Sequence, residues 1–132
     1  MIRLRFATIE PTEWGCVSRF DRGGAEVPAQ THWHDRHYAV IAHRCGYGDD
    51  LRAYTIEHEV CHHLLAEALY GTVSPVLWGL ACGVPLPPAY AAQEELAVQA
   101  LQRFVRAAER PIVGGVDWDA LKARVLVALR SV

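Results

Sequence analysis

The stretch Tyr54-Thr55-Ile56-Glu57-His58-Glu59-Val60-Cys61-His62-His63 contains the pattern H-E-x-x-H, formed by His58, Glu59 and His62. Residues four apart on an α-helix lie on one face about one turn apart, so both imidazoles can reach one ion. Glu59 projects about 100° from His58, which suits a general base for a water on the metal better than a third protein ligand. The stretch therefore predicts a metal-bearing helix.

The residues around this pattern are mostly uncharged, as a buried metal-bearing helix requires. Examples are Thr55, Ile56, Val60, Cys61 and Leu64. The alternative is an ordinary amphipathic helix whose histidines fill core or surface positions, because a histidine-rich chain can contain the pattern by chance. The apolar flanks and an acidic helix farther along the chain favour the metal site.

The composition of the 132-residue chain is that of a globular protein. Hydrophobic residues make up 52% and charged residues 21%, the balance of a chain that buries a core instead of remaining disordered. This length suits one domain spanning residues 1–132 and is short for two. The formal net charge of −2 gives no electrostatic basis for binding nucleic acid, which usually needs a basic face.

The sequence also predicts a cytoplasmic protein without membrane contacts. The longest apolar run, around residues 76–84, is interrupted by glycines and flanked by prolines, so it is too short to span a bilayer. The first residues alternate charged with apolar side chains and lack the apolar core of a signal peptide. The four cysteines have no C-x-x-C spacing, which argues against disulfides or a cysteine zinc site and fits a reducing compartment.

Alternating apolar residues predict a small sheet in the first third of the chain. Strands are expected at residues 2–9, at residues 14–20 and at about residues 37–44, whereas residues 25–31 resemble a loop. The strand at residues 38–43 is expected to be the edge against which an extended peptide can pair.

Capping residues predict four helices after the strands. They are expected from Asp49 or Asp50 to residue 70, at residues 74–82, at residues 89–109, and at residues 118–130 after an Asp117 cap. This order indicates an α+β fold, with a small antiparallel or mixed sheet packed against a helical core that contains the H-E-x-x-H helix.

The third metal ligand is expected on the helix at residues 89–109. A catalytic zinc usually takes three protein ligands, and no histidine follows His63. The pattern then resembles the gluzincin arrangement, which implies a glutamate on a following helix, and the chain offers Glu94 and Glu95 there. At about 100° per residue, Glu94 aligns with the apolar stripe of this helix and Glu95 does not. A carboxylate aligned with the core is costly to bury unless it is paired or metal-bound. The helix phase therefore favours Glu94, with Glu95 as the alternative.

With these residues, the chain resembles the gluzincin peptidases, a zincin family, and especially the ImmA/IrrE type. The resemblance covers about residues 51–104 and is carried by His58, Glu59, His62 and the Glu94 helix start. It implies a zincin-like fold and hydrolysis of a peptide or protein substrate. It also implies Zn²⁺ bound by His58, His62 and Glu94, with Glu59 as the general base on a zinc-bound water.

Two further expectations concern origin and function. The stretch Ser74-Pro75-Val76-Leu77-Trp78-Gly79 is similar to small prophage-encoded zincin-like proteins. The main alternative function is a catalytically silent zincin-like module that binds a protein partner, and another kind of metal-dependent hydrolase is a third. The carboxylate of Glu59 favours catalysis, since a purely structural zinc does not require it.

The remaining histidines give a weaker signal. His32, His34 and His37 form H-x-H-x-x-H, which permits a second metal site but lacks cysteine or carboxylate partners at fixed spacing. Surface or cleft positions are favoured for them, although one of them or His43 can approach the metal. His63 is expected to orient a ligand or to pack beside the site.

Overall fold

The computed structural model describes residues 3–9, 29–35, 37–44, 49–75, 78, 83, 86–112 and 115–132. Within these ranges the chain forms strands β1 (Arg3–Ile9), β2 (Ala29–Asp35) and β3 (Tyr38–Arg44), and helices α1 (Asp49–Tyr70), α2 (Pro88–Val105) and α3 (Trp118–Leu129). The fold is α+β, as the sequence predicted.

The three strands form a mixed sheet in the order β1-β3-β2. Strand β1 pairs with β3 in parallel, and β2 pairs with β3 antiparallel. The predictions for β1 and β3 are confirmed, but the prediction that β3 is an edge was wrong, because β3 lies between the other two strands. The predicted strand at residues 14–20 lies outside the described residues.

Strand β2 covers part of the segment that was expected to be a loop. In its sequence, Ala29-Gln30-Thr31-His32-Trp33-His34-Asp35, polar residues fall at both sets of alternate positions. The alternation of apolar with polar residues that marks a half-buried strand is therefore missing. Strand β2 forms through pairing with β3, an interaction that the local pattern does not encode.

The inner face of the sheet is set by the strand register. Residues Ala39, Ile41 and His43 alternate along β3 and are buried. Thr31 on β2 lies opposite Ile41, and directly paired residues on neighbouring strands project from the same face. Thr31 therefore points towards α1, which packs across this face.

Helix α1 has the predicted bounds and carries the H-E-x-x-H residues at its centre. It ends at Gly71, whose φ of 71° is the left-handed conformation that glycine adopts without a Cβ penalty. Cys61 is fully buried, and burial raises the pKa of its thiol, so it acts as a small apolar core residue, as expected.

The other two helices pack on α1. Helix α2 ends at Val105, four residues before the predicted end, where Arg106 caps it and Ala107 turns at φ 62°. Helix α3 begins as predicted, with the Asp117 side chain accepting from the Ala120 backbone N–H at 3.1 Å. Most of the predicted helix at residues 74–82 lies outside the described residues.

One core joins the sheet to the three helices. Its buried members include Ile41, Ile56, Val60, Leu64, Val98, Leu101, Phe104, Leu121 and Val125. The apolar residues predicted to form one side of α2 are therefore the residues that pack in this core. No helix in the described part of the chain has the length and hydropathy to cross a membrane.

Leu101→Ala is expected to lower the free energy of unfolding by about 2–5 kcal/mol, because Leu101 is completely buried and alanine would leave a cavity. Leu96→Ala is the matched control on the same helix, since Leu96 is 65% exposed and its loss should change stability by no more than about 0.5 kcal/mol. Urea denaturation of both variants measures the difference. Equal losses would contradict the observed orientation of α2.

Candidate metal centre

His58 and His62 bring two ring nitrogens together on one face of α1. Their ring centroids lie 4.8 Å apart with the planes at 77°, and the two Nε2 atoms are 3.2 Å apart. Both side chains are only slightly exposed, at 19% and 12%. The i, i+4 spacing thus produces the convergence that the sequence predicted.

Glu95 on α2 completes the group. Its Oε1 atom lies 2.8 Å from Nε2 of His58, and its Oε2 atom lies 3.2 Å from Nε2 of His62. One ligand atom from each of the three residues lies within 4.8 Å of the others. His58, His62 and Glu95 could therefore hold a metal ion, and they are the group with this property among the described residues.

The Nδ1 atom of each histidine is held by a different acceptor on α2. His58 Nδ1 lies 3.0 Å from Oε1 of Gln102, and His62 Nδ1 lies 3.2 Å from Oε1 of Glu94. A proton on each Nδ1 satisfies these contacts and leaves the Nε2 lone pair for a metal. Outer partners of this kind orient metal-binding histidines and raise their basicity.

A hydrogen-bond chain fixes the orientation of the Gln102 amide. Its NH₂ group donates to Oε1 of Glu57 at 3.0 Å and to the backbone carbonyl of Tyr54 at 3.1 Å. The same Glu57 oxygen accepts from Nε of Arg106 at 2.7 Å. Because the NH₂ group has two acceptors, the amide oxygen must face His58, and an imidazole beside it must donate from Nδ1. Glu57 and the Tyr54 carbonyl thus fix the His58 tautomer through Gln102, and Arg106 holds the Glu57 carboxylate in place.

The carboxylates around His62 favour positive charge at this position. Burial lowers the pKa of His62, but hydrogen bonds to Glu94 and Glu95 and the negative charge of Glu59 outweigh burial and raise it to about 10. The hydrogen bond from His62 in turn lowers the pKa of Glu95. The three carboxylates therefore favour positive charge between His62 and Glu95, and a bound cation would supply such charge.

The group that could hold a metal contains Glu95, whereas the helix phase favoured Glu94 and left Glu95 as the alternative. Glu94 is the more buried, with its side chain 13% exposed against 44% for Glu95, as the helix phase predicted. The more buried carboxylate is nevertheless not the one beside the two Nε2 atoms, because Glu94 extends behind His62 and pairs with its Nδ1 atom. Glu95 reaches across the open side of the histidine pair. Glu95 therefore takes the position that the sequence assigned to Glu94.

Glu59 lies outside the ligand group, and a residue of the sheet holds its carboxylate. Its Oε2 atom accepts from the Thr31 hydroxyl at 2.5 Å, and the Thr31 oxygen lies 2.9 Å from Nε2 of His63. Burial and the positive charge of His62 lower the pKa of His63 to about 3, so its ring is neutral and can donate from Nε2 to Thr31. His63 therefore supports the residue that holds Glu59.

Two residues of this centre, Gln102 and Thr31, were not identified from the sequence. Gln102 follows Glu95 by seven residues, and this spacing places both on one side of α2. This pair of polar residues seven apart could have indicated that Gln102 lies near the site. Nothing in the sequence connects Thr31 to Glu59, because their contact depends on the register of β2 against β3.

The other histidines do not join this group within the described residues. His43 is buried on β3, and His37 is exposed in the turn before it. The side chains of His32 and His34 lie outside what the structure describes, so the H-x-H-x-x-H metal site stays a prediction.

No known protein family, curated protein or solved structure matches this chain.

Proposed function

We propose that this chain is a zincin-like metallopeptidase in which His58, His62 and Glu95 bind zinc and Glu59 is the general base. The observation that carries the proposal is the convergence of two Nε2 atoms and one carboxylate while separate acceptors hold both Nδ1 atoms. Buried histidines need partners for their ring nitrogens in any case, but here the two Nε2 atoms lie 3.2 Å from each other and beside one shared carboxylate.

The spacing of the donor atoms is compatible with zinc. Donors about 2.0–2.1 Å from one zinc ion stand about 3.3 Å apart in a tetrahedron, and the contacts between Glu95 and the two histidines are 2.8 and 3.2 Å. Two imidazoles and one carboxylate are also a ligand set known from catalytic zinc sites. Zinc bound there would act as a Lewis acid towards a carbonyl group and a water molecule.

The chain itself would supply proton transfer and peptide positioning. Glu59 takes up a proton and returns it to the leaving amine, and the hydrogen bond from Thr31 to Oε2 fixes the carboxylate so that Oε1 is the oxygen that accepts. An extended peptide would pair with β2, which is the outer strand on this side among the described strands, instead of with β3. Thr31 would then connect peptide position with the orientation of the base.

Cleavage of a mixed peptide library tests this proposal. The purified protein should cleave peptides, a chelator should stop cleavage, and about one equivalent of zinc should restore it. Zinc bound at that ratio without any cleavage would contradict the hydrolase and favour the catalytically silent module that binds a protein partner.

Glu95→Gln is expected to weaken zinc binding more than Glu94→Gln. Loss of the Glu94 carboxylate removes an outer partner of His62, which typically lowers metal affinity about 10–100-fold, whereas loss of Glu95 removes a ligand. Competition with a fluorescent chelator measures both affinities, and Glu109→Gln is the control for the same charge change at an exposed position. A larger loss of zinc affinity in Glu94→Gln would support Glu94 as the third ligand, as expected from the sequence.

A further inference from the structure

Helix α3 exposes an apolar patch formed by Ala123, Leu126 and Val127. Leu126 and Val127 are 39% and 60% exposed, and Ala123 is exposed beside them. At about 100° per residue, both lie within about 60° of Ala123 around the helix axis, so the three side chains share one face. The buried residues of α3 lie on the opposite side of the helix, and they are Trp118, Leu121 and Val125. The patch is therefore not the face that α3 packs into the core.

An open groove of about 340 Å³ between α1, α3 and β1 extends this patch. Ala123 and Val127 belong both to the patch and to the wall of the groove, which also includes Leu4 and Leu64. The lining is apolar except for Arg124, whose guanidinium donates to both carboxylate oxygens of Glu67. A continuous apolar surface of this kind on a folded chain is typical of an interaction site.

Opposite charges stand at the two ends of the same face. Asp119 precedes Ala123 by four residues and Arg130 follows it by seven, so both lie within about 40° of Ala123 around the helix. The Asp119 side chain is 70% exposed, and Arg130 is also exposed. The face is thus acidic at the start of α3, apolar in the middle and basic at the end.

We propose that this face binds the same face of a second copy of the chain, with the two α3 helices antiparallel. A two-fold axis between residues 124 and 125 places Asp119 opposite Arg130 of the second copy. It also places Ala123 opposite Leu126 of the second copy. Because a two-fold interface uses one patch from each subunit, each of these pairs occurs twice.

The order of charges along α3 favours a second copy in this orientation. Antiparallel pairing brings each acidic end to a basic end, whereas parallel pairing would bring like charges together. Charge pairs of this kind fix the orientation and register of an interface more than they determine its affinity. The face therefore carries the charges that complement its own.

The sizes of the apolar side chains are complementary in the same register. A small side chain at Ala123 leaves room for Leu126 of the second copy, so that the two helix axes can approach to about 8–10 Å. Burial of Leu126 and Val127 would supply most of the affinity. Size and charge thus point to one register, although they are independent properties of the sequence.

Reversal of the charged residues tests the proposal. Sedimentation velocity should show that the full chain dimerises with a dissociation constant on the order of micromolar. Asp119→Lys and Arg130→Glu should each weaken dimerisation about tenfold, because each change brings like charges together at both symmetry-related pairs. The double variant should recover most of the wild-type affinity, since opposite charges again face each other.

Arg103→Glu is the matched control, because it makes the same charge change at an exposed position on α2 and should leave dimerisation unchanged. Leu126→Ala should weaken the dimer through lost apolar contact, and circular dichroism verifies that each variant folds. A wild-type chain that stays monomeric at all accessible concentrations would overturn the proposal. So would a dimer that the Asp119 and Arg130 variants do not weaken, or a double variant no stronger than the single ones. These measurements require neither zinc nor peptide cleavage, so the outcome is independent of the proposed function.

Discussion

His62→Ala is expected to reduce the zinc content of the purified protein from about one ion per chain to background. His62 contributes one of three donors, and it also separates Glu94 from Glu95. Its removal deletes a ligand and leaves two neighbouring carboxylates without their shared partner, so that their repulsion disfavours the arrangement needed for binding. Elemental analysis after gel filtration gives the metal content directly.

His37→Ala serves as the control for loss of a histidine, because His37 is exposed and lies outside the ligand group. Circular dichroism verifies folding, and His62→Gln retains more side-chain volume in case alanine destabilises α1. Zinc content at the wild-type level in both His62 variants would place the ion elsewhere in the chain. A metal-free wild-type protein that also binds no added zinc would contradict the metal centre as a whole.

The parts of the fold that the sequence predicted depend on local chemistry. Helix α1 ends at Gly71, which adopts a left-handed backbone conformation, and α3 begins where the Asp117 side chain caps it. Strand β2 depends instead on pairing with β3, and the position of β3 between β1 and β2 depends on how the three strands pair. Neither is determined by the residues within the strand.

The same distinction applies to the candidate site. The positions of His58 and His62 follow from helix periodicity alone, so the sequence predicted their convergence. The choice between Glu94 and Glu95 depends on how two helices meet, and burial alone could not decide it. A buried carboxylate requires a partner, but the partner of Glu94 is the far nitrogen of His62, a contact that only the packed arrangement of α1 and α2 defines.

The hydrogen bond from Thr31 to Glu59 makes Thr31 a positioning residue for the proposed general base, a role that the sequence did not suggest. Thr31→Val removes the hydroxyl at nearly constant volume, whereas Thr31→Ser retains the donor. If the hydroxyl positions the base, serine should preserve most activity, and valine should lower kcat more than it changes KM. The pair therefore separates positioning of Glu59 from packing of β2 on α1.

Glu59→Gln is expected to lower the rate of peptide hydrolysis by about 10²–10⁴-fold, the usual contribution of a general base, while zinc content and folding stay as in the wild type. Glutamine keeps the size of the side chain and can still accept the hydrogen bond from Thr31, but it cannot take up a proton at neutral pH. Cleavage rates on one peptide, with zinc measured on both proteins, give the comparison. Equal rates would show that the activity came from a contaminating protease or from a mechanism without this base. Loss of zinc together with activity would instead mean that Glu59 belongs to the ligand set, and the division of roles between Glu59 and Glu95 would then have to be reversed.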